Sequence, residues 1–266
     1  MLSNPRSPRV RGVAKLATRR ARRETGQFLL EGPQAVREAL DYAPGAIDEV
    51  YATEEALERN RDIRTALTDA GLRVEIGTEQ VLAGMADTVT PQGILAVARQ
   101  SRAELDEVFS AAPRLIAVCH EIRDPGNLGT IIRVADAAGA DAVVLTGDTV
   151  DPYNPKVVRS TTGSLFHVPV AFECDLDDVA ARVRAAGLSL LAADVSGDDL
   201  LDARAGGLLA EPTAWLFGNE ARGLEPESLA LADRALRLPI YGRAESLNLA
   251  TAASVCLYQS AFELKR

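Results

Sequence analysis

The stretch AWLFGNEARGL, residues 214–224, joins an apolar run to a short polar loop flanked by glycines. The four apolar residues at its start predict a strand that is buried on both faces. The loop that follows contains Asn219 and Glu220 between Gly218 and Gly223. Because open α/β sheets bind ligands beyond the carboxyl ends of their strands, we expect this loop to belong to a functional site.

Apolar runs of the same kind recur through the second half of the chain, with helical periodicity between most of them. Near-continuous apolar strands are typical of a parallel sheet that helices cover on both faces. We therefore predict an α/β domain over residues 114–266. Its predicted strands are residues 114–119, 141–146, 167–172, 188–194, 214–218 and 237–240.

A smaller α/β domain is predicted over residues 24–105. The run FLLEGPQAVREAL, residues 28–40, changes from a strand-like start to a helical spacing of apolar residues after a Gly-Pro break. A charged stretch at 100–113 separates this domain from the next. The further elements predicted within it are strands at 47–53, 72–77 and 93–99 and a polar helix at 54–70.

Charge is segregated along the chain, whose formal net charge is -9. Residues 1–23 contain eight of the 29 basic residues and none of the 38 acidic ones. A basic N-terminal arm favours a polyanionic partner such as RNA, because basic side chains opposite phosphates release counterions. A solvated tail or an amphipathic first helix explains the same composition equally well. The basic residues of this arm are Arg6, Arg9, Arg11, Lys15, Arg19, Arg20, Arg22 and Arg23.

The sequence also argues against several classes of protein. Three widely spaced cysteines and two histidines offer neither a disulfide framework nor a zinc-ligand spacing, so we expect reduced thiols and no metal. The chain lacks the motifs of Ser/His hydrolases, Rossmann dinucleotide sites and P-loops. It also lacks an apolar run of membrane-spanning length and the apolar core of a secretory signal, so the expected location is the cytoplasm.

Polar clusters follow three of the predicted strands. Asn127 lies behind an Asp-Pro-Gly turn, where it is expected to cap a helix, and Arg133 follows six residues later. Glu220 lies in the glycine-flanked loop, while Ser246 and Asn248 stand where a helix running to about residue 262 should begin. Each side chain alone is explained as a cap, a turn residue or a surface charge. Their recurrence at three strand ends of one sheet favours a joint site.

Three segments resemble the ordered motifs of a known family. NLGTIIR (127–133), LFGNEARGL (216–224) and LPIYGRAESLNLATAA (238–253) are similar to the motifs of the SpoU (TrmH-like) branch of the SPOUT RNA methyltransferases. Residues 28–40 and the unit after them resemble the substrate-binding domain that precedes the catalytic domain in many members, a ribosomal-protein-like α/β fold. The resemblance implies a parallel-sheet SPOUT domain with a deep trefoil knot and a homodimeric assembly.

The resemblance further implies transfer of a methyl group from S-adenosyl-L-methionine to a ribose 2'-hydroxyl of RNA. The family binds this cofactor largely through backbone groups of the knot loops. Carried over by motif position, the expected cofactor-binding residues are Gly218, Leu238, Ile240, Leu247 and Ala193.

The same resemblance assigns roles to the polar clusters. Arg133 is implied in activation of the 2'-hydroxyl; because guanidinium stays protonated, we expect it to bind a phosphate and the developing alkoxide rather than to act as a base. Asn127 and Asn248 are expected to orient the ribose. Ser246 would support the loop or the cofactor, and Glu220 would either fix Arg133 or accept a proton.

The extra N-terminal domain and the basic arm favour 23S ribosomal RNA as the substrate. A transfer RNA 2'-O-methyltransferase and a non-catalytic RNA-binding assembly factor of the same fold stay open as alternatives. A small-molecule α/β enzyme with an irrelevant basic tail is a further reading. The identity of the methylated nucleotide and any role in antibiotic resistance are not predicted.

Overall fold

The computed structural model describes residues 1–265, so that Arg266, the last residue of the predicted second domain, lies outside it. The chain divides into two compact units. Unit 1 consists of residues 1–101 and 151–167, and unit 2 of residues 102–150 together with the chain from 168 onward. Residues 151–167 were predicted to belong to the second domain, whereas in the structure they fold with unit 1.

Helices and strands alternate along both units. From the N-terminus the elements are α1 (Pro8–Ala14), α2 (Arg19–Thr25), β1 (Gln27–Glu31), α3 (Pro33–Tyr42), β2 (Ile47–Ala52), α4 (Glu54–Arg59), α5 (Arg61–Asp69), β3 (Val74–Ile76), α6 (Glu79–Met85) and β4 (Ile94–Arg99). They continue with α7 (Leu105–Ser110), β5 (Leu115–His120), α8 (Pro125–Ala138), β6 (Ala142–Thr146), α9 (Pro155–Thr161), β7 (Val170–Cys174), α10 (Leu176–Ala185), β8 (Ser189–Asp199), α11 (Leu200–Ala205), β9 (Thr213–Phe217), α12 (Pro226–Leu229), β10 (Arg234–Arg237) and α13 (Leu249–Leu264).

Unit 1 is built on a mixed four-stranded sheet in the order β1-β4-β2-β3. Strand β4 runs antiparallel to both of its neighbours, and β2 and β3 are parallel. Every residue of β4 from Ile94 to Ala98 is buried, as expected for the strand that has a partner on each edge. Helix α9 packs against β1, which explains why residues 151–167 belong to this unit.

The predicted basic arm is part of the fold of unit 1. Val10, Val13 and Leu16 are buried in a core cluster with residues of β2, β4 and α6, so the arm is an amphipathic helical segment and not a solvated tail. Arg22 is only 1% exposed. Its guanidinium donates to the carbonyls of Leu16 and Ala17 and pairs with Asp151 at 2.7 Å.

This burial corrects the prediction for one of the eight basic residues. Arg22 cannot reach RNA, because its guanidinium is enclosed within unit 1. Arg9 is exposed and pairs with Glu49 and Glu75, each at 3.4 Å, and its Nε donates to the Tyr51 hydroxyl at 2.9 Å. The six others are exposed as well, namely Arg6, Arg11, Lys15, Arg19, Arg20 and Arg23.

Unit 2 contains a six-stranded sheet in the order β10-β8-β9-β5-β6-β7, and all of its pairings are parallel. All residues of β6 and β9 are buried, which confirms the predicted sheet with both faces covered. The chain proceeds outward from β5 through β6 to β7 and then returns to the other side of the sheet. The loops after β5 and β9 therefore flank a topological switch point, where α/β sheets commonly bind ligands.

Strand β10 differs from its prediction. The expected strand was 237–240, but the observed one ends at Arg237. Leu236 is the apolar residue that is buried, and Pro239 has no N–H with which to extend the ladder. Two other strands are displaced by a few residues: β7 begins at Val170 and β8 continues to Asp199.

The extension of β8 arises from an irregularity in its pairing with β10. Ala235 pairs with Ala192, but the next residue, Leu236, pairs with Asp198. The five residues in between bulge out of the ladder. A side chain on Gly197 would come within 2.3 Å of the Ala235 backbone, so the bulge needs glycine at this point. None of the helices in residues 1–265 has the length and apolarity that crossing a membrane requires.

Candidate active site

Asn219 joins the two loops at the switch point. The register pairs Cys119 of β5 with Phe217 of β9, so the loops that follow them begin side by side. The Asn219 Nδ2 donates to the Glu121 carbonyl at 2.8 Å, and its Oδ1 accepts from the backbone N–H groups of Ala221 and Arg222. Sequence analysis gave this residue no role, although its place between Gly218 and Glu220 was a signal.

The glycines of the second motif close a tight turn. Asn219 and Gly223 exchange backbone hydrogen bonds of 3.0 and 2.8 Å, and Gly223 has a φ of 69°. A side chain on Gly218 would come within 2.6 Å of the Gly223 backbone. Glycine at position 218 is therefore required by the chain's own close approach at Gly223, and the contact of Gly218 with the cofactor stays a prediction.

Glu220 binds the beginning of α8. One carboxylate oxygen accepts from the Asp124 N–H at 3.0 Å and from Asn127 Nδ2 at 3.3 Å. The other accepts from the Arg123 N–H at 3.2 Å. A carboxylate at this position complements the positive end of the helix dipole. Glu220 is thus held by backbone amides and by Asn127, and not by Arg133 as one of our expectations had it.

The cap of α8 is Asp124 and not Asn127. Asp124 Oδ1 accepts from the Asn127 N–H at 2.8 Å, which is the usual geometry of an N-cap side chain. Asn127 itself lies in the first helical turn. Its side-chain amide is therefore free to interact with other loops of the site.

Asn127 links Glu220 to Asn248. Asn127 Nδ2 donates to Glu220, and its Oδ1 accepts from Asn248 Nδ2 at 3.0 Å. Asn248 caps α13, because its Oδ1 accepts from the N–H groups of Ala250 and Thr251 at 3.0 and 3.3 Å. Since the cap uses the oxygen of Asn248, only its NH₂ group can face Asn127. The three side chains form a directed hydrogen-bond chain across three strand ends.

Two other predicted residues lie outside this chain of hydrogen bonds. Arg133 is exposed and makes no hydrogen bond or ion pair with residues 1–265. It lies six residues beyond Asn127 on α8, about 9 Å along the helix axis. Ser246 is exposed as well and has no side-chain hydrogen bond within the described chain.

The predicted cofactor residues of the third motif lie in the irregular segment between β10 and α13. Leu238 is half-buried, whereas Ile240 and Leu247 are exposed. The backbone groups of residues 239–247 make no hydrogen bond with other described residues. Ala193, half-buried, lies in the bulge of β8. Unused donors and acceptors beside apolar side chains fit a cofactor that is held largely by backbone groups.

Burial sets the ionisation of the groups under the loops. Burial raises the pKa of the Cys119 thiol far above its usual range, and the Glu220 charge acts in the same direction. Burial lowers the pKa of His120, partly offset by Glu121. The His120 ring lies between the Thr146 and Ser228 hydroxyls, at 2.9 and 3.1 Å. Both groups are neutral near pH 7, and neither is poised as a nucleophile or as a charged acid.

Arg222 and Glu121 add an ion pair that sequence analysis also missed. The Arg222 guanidinium binds the Glu121 carboxylate at 2.6 Å and lies 3.5 Å from Glu225. Glu121 has a φ of 54°, which is uncommon for a residue with a side chain. The pair joins the loops after β5 and β9 at a second point, alongside Asn219.

Two family models and many known proteins match the chain. The model of the SpoU rRNA Methylase family matches residues 114–258, and that of the MRM3-like substrate binding domain matches residues 7–96. The chain is 34% identical to the 23S rRNA (guanosine(2553)-2'-O)-methyltransferase RlmP of Bacillus subtilis, over 97% of each chain.

Two solved structures share the fold over nearly the whole chain. The AdoMet-bound rRNA methyltransferase from Sinorhizobium meliloti is 31% identical, with a TM-score of 0.84 over 99% of this chain and 97% of the other. The SpoU methyltransferase AviRb from Streptomyces viridochromogenes, in complex with AdoMet, is 30% identical, with a TM-score of 0.81 over 97% and 98%. The chain belongs to the SpoU rRNA methylase family.

Proposed function

We propose that the protein transfers a methyl group from S-adenosylmethionine to a ribose 2'-hydroxyl of 23S ribosomal RNA, as a homodimer in the cytoplasm. The observation that carries the proposal is the chain of hydrogen bonds from Glu220 through Asn127 to Asn248. It unites the three motifs at one end of the parallel sheet. Family membership and the names of the relatives support the reaction and the RNA class.

The cofactor supplies an electrophilic methyl group on a sulfonium. In this chain, the unused backbone groups of residues 239–247 and the apolar side chains of Leu238, Ile240 and Leu247 would hold it. Gly218 follows β9, and Ala193 begins the bulge of the neighbouring strand β8. Alignment of the attacking oxygen with the methyl group can contribute several kcal/mol, roughly 7 or more for ideal geometry.

The amide side chains would orient the ribose. Asn127 and Asn248 are fixed in direction by their mutual hydrogen bond and by the cap of α13. Glu220 accepts three N–H groups, whereas a carboxylate has about four acceptor positions. The remaining position suits a hydrogen bond from the 2'-hydroxyl, whose proton Glu220 would accept as the O–CH3 bond forms and the S–CH3 bond breaks. Ser246 would support the loop.

Arg133 would bind phosphate and stabilise the developing alkoxide. Its guanidinium is always protonated at physiological pH, so it acts as a fixed positive charge and a planar donor. It has no protein partner among residues 1–265, so its charge is available for the RNA backbone.

RNA binding would use unit 1 and its exposed basic residues. Arg6, Arg11 and Lys15 are exposed, as are Arg19, Arg20 and Arg23. The homodimer would cover apolar side chains that unit 2 exposes, among them Tyr241 and Phe262. The deep trefoil knot implied by the family motifs stays a prediction for the segment around residues 238–247.

The test is transfer of labelled methyl from S-adenosylmethionine to unmodified ribosomal RNA, 50S particles and transfer RNA. We expect label in 23S ribosomal RNA. Arg133→Ala should lose it while keeping its fold and cofactor affinity, and Arg133→Lys should restore only part. Label confined to transfer RNA would refute the substrate. Absence of label from every RNA and particle would refute catalysis, and an active Arg133→Ala would refute the role of Arg133.

A further inference from the structure

Unit 1 contains a cavity of about 180 Å³ beside the start of α3. Its floor consists of apolar side chains of the core, Leu82, Ile94 and Leu95. Pro91 and Ala86 add apolar walls. Sites for drug-sized ligands measure about 300–1,000 Å³, so this cavity suits a single small ring system.

One wall of the cavity is rigidly built. The Glu31 carboxylate is 4% exposed and binds Arg159 at 2.7 Å. Its other oxygen accepts from the N–H groups of Asp87 and Thr88 at 3.1 and 2.9 Å. Arg159 also pairs with Asp87 at 3.0 Å. Two carboxylates against one guanidinium leave a formal charge of -1 on this wall, so it fixes the shape of the cavity and does not attract an anion into it.

The mouth of the cavity carries polar groups that have no protein partner. The Gln92 amide and the hydroxyls of Thr88 and Thr90 line it, and none makes a side-chain hydrogen bond with residues 1–265. Gln92 Oε1 lies over Gly32, whose φ is 92°, and a Cβ atom on Gly32 would lie 3.0 Å from this oxygen. An amide at the rim of an apolar slot offers a donor and an acceptor to the edge of a flat ring.

A second, more open hollow adjoins the cavity. It shares Thr90, Pro91 and Gln92 with the cavity and is bordered by Arg59 and Asn60. Arg59 pairs only loosely with Glu55, at 3.7 Å, and both side chains are about two-thirds exposed. Such exposed pairs are weak, so the Arg59 charge is available to an anion.

We propose that the cavity receives one unpaired nucleobase of the RNA, whose sugar and phosphate lie against Arg59 and Asn60. Apolar walls, an amide at the rim and a nearby cation are the features with which proteins hold splayed-out RNA bases. Glutamine can bind the edge of a base through two hydrogen bonds. The inference rests on the proposed function, in that this RNA is the substrate of unit 2.

The experiment measures dissociation constants for fragments of 23S ribosomal RNA that the wild-type protein binds. Gln92→Ala removes the amide from an exposed position, and Gln80→Ala on α6, also exposed and outside the cavity, is the control. We expect Gln92→Ala to weaken binding about tenfold, the loss of one good base contact. The control should remain within about twofold, and S-adenosylmethionine affinity should not change in either variant.

Abasic substitution in the RNA identifies the base. Removal of the base that occupies the cavity should weaken binding to the wild type but have little further effect in Gln92→Ala. At other positions the two effects should add. In turnover, Gln92→Ala should raise KM and leave kcat unchanged.

Several results would overturn the inference. One is an unchanged RNA affinity of Gln92→Ala, and another is additive effects at every abasic position. A third is tight, saturable binding of free nucleoside monophosphates or of a peptide, together with no effect of Gln92→Ala on RNA binding. An RNA that binds with the expected coupling but is never methylated would instead refute the proposed function and leave the base site in place.

Discussion

Asn248 has two separable functions in the structure, and a single substitution distinguishes them. Its Oδ1 caps α13 through Ala250 and Thr251, and its Nδ2 donates to Asn127. Asn248→Asp keeps an oxygen for the cap, since Asp and Asn are equivalent N-caps. It replaces the donor by a second acceptor, which would face Asn127 Oδ1 at about the 3.0 Å of the present hydrogen bond.

Asn127 cannot easily adapt by turning its amide, because its Nδ2 is already bound to Glu220. We therefore expect loss of one hydrogen bond, about 1 kcal/mol, and displacement of the ribose-orienting amides. Because misplacement by about 1 Å can reduce turnover 100-fold, we expect kcat/KM to fall between about 10- and 100-fold. The helix itself should stay formed.

The assay combines methyl transfer with thermal unfolding of three variants. Asn248→Ala loses both functions and should lower stability by about 1 kcal/mol, or roughly 2–4 °C in Tm. Asn248→Asp should lose activity with a smaller change in Tm. The matched control is Asn154→Asp in the cap of α9, where the side chain accepts from Lys156 N–H and touches no motif. Full activity of Asn248→Asp would refute the proposal that the directed hydrogen-bond chain positions the ribose.

Three further outcomes are expected. Gly218→Ala should disrupt the turn, because its side chain would lie 2.6 Å from the Gly223 backbone, whereas Gly242→Ala, with nothing within 4 Å, should fold normally; equal thermal stability of the two would contradict this. Arg22→Ala should destabilise unit 1 by about 3–5 kcal/mol, because it leaves Asp151 without its ion-pair partner. Urea unfolding measures this loss, with Arg19→Ala at an exposed position as the control. A loss below about 1 kcal/mol would be evidence against a structural role of Arg22. Burial lowers the pKa of His120, so the unfolded state takes up a proton on this residue first as the pH falls below about 6.5. The free energy of unfolding should therefore decline from that pH until the folded-state pKa of His120 is passed. His120→Gln should lack this pH-dependent component, and identical pH profiles of the two proteins would contradict the expectation.

The alternation of strands and helices and the parallel sheet were predictable because they follow from local periodicity and run length. Asn127, Glu220 and Asn248 could be recognised as candidates because polar residues at strand ends stand out against apolar runs. The shift of β10 could not be predicted. It depends on the pairing of Ala235 and Leu236 with a bulged strand more than 30 residues away.

The sequence by itself determined the α/β class, the family motifs and the segregation of basic residues at the N-terminus. Only the tertiary structure decided that Arg22 is a buried structural residue, that Gly218 makes room for Gly223, and that Glu220 holds α8 rather than Arg133. Periodicity and composition depend only on residues that are close together in the sequence, so structure that follows from them can be predicted from the sequence. Burial of a charge and the direction of a hydrogen bond depend on partners distant in sequence, and these are known only when the chain has folded.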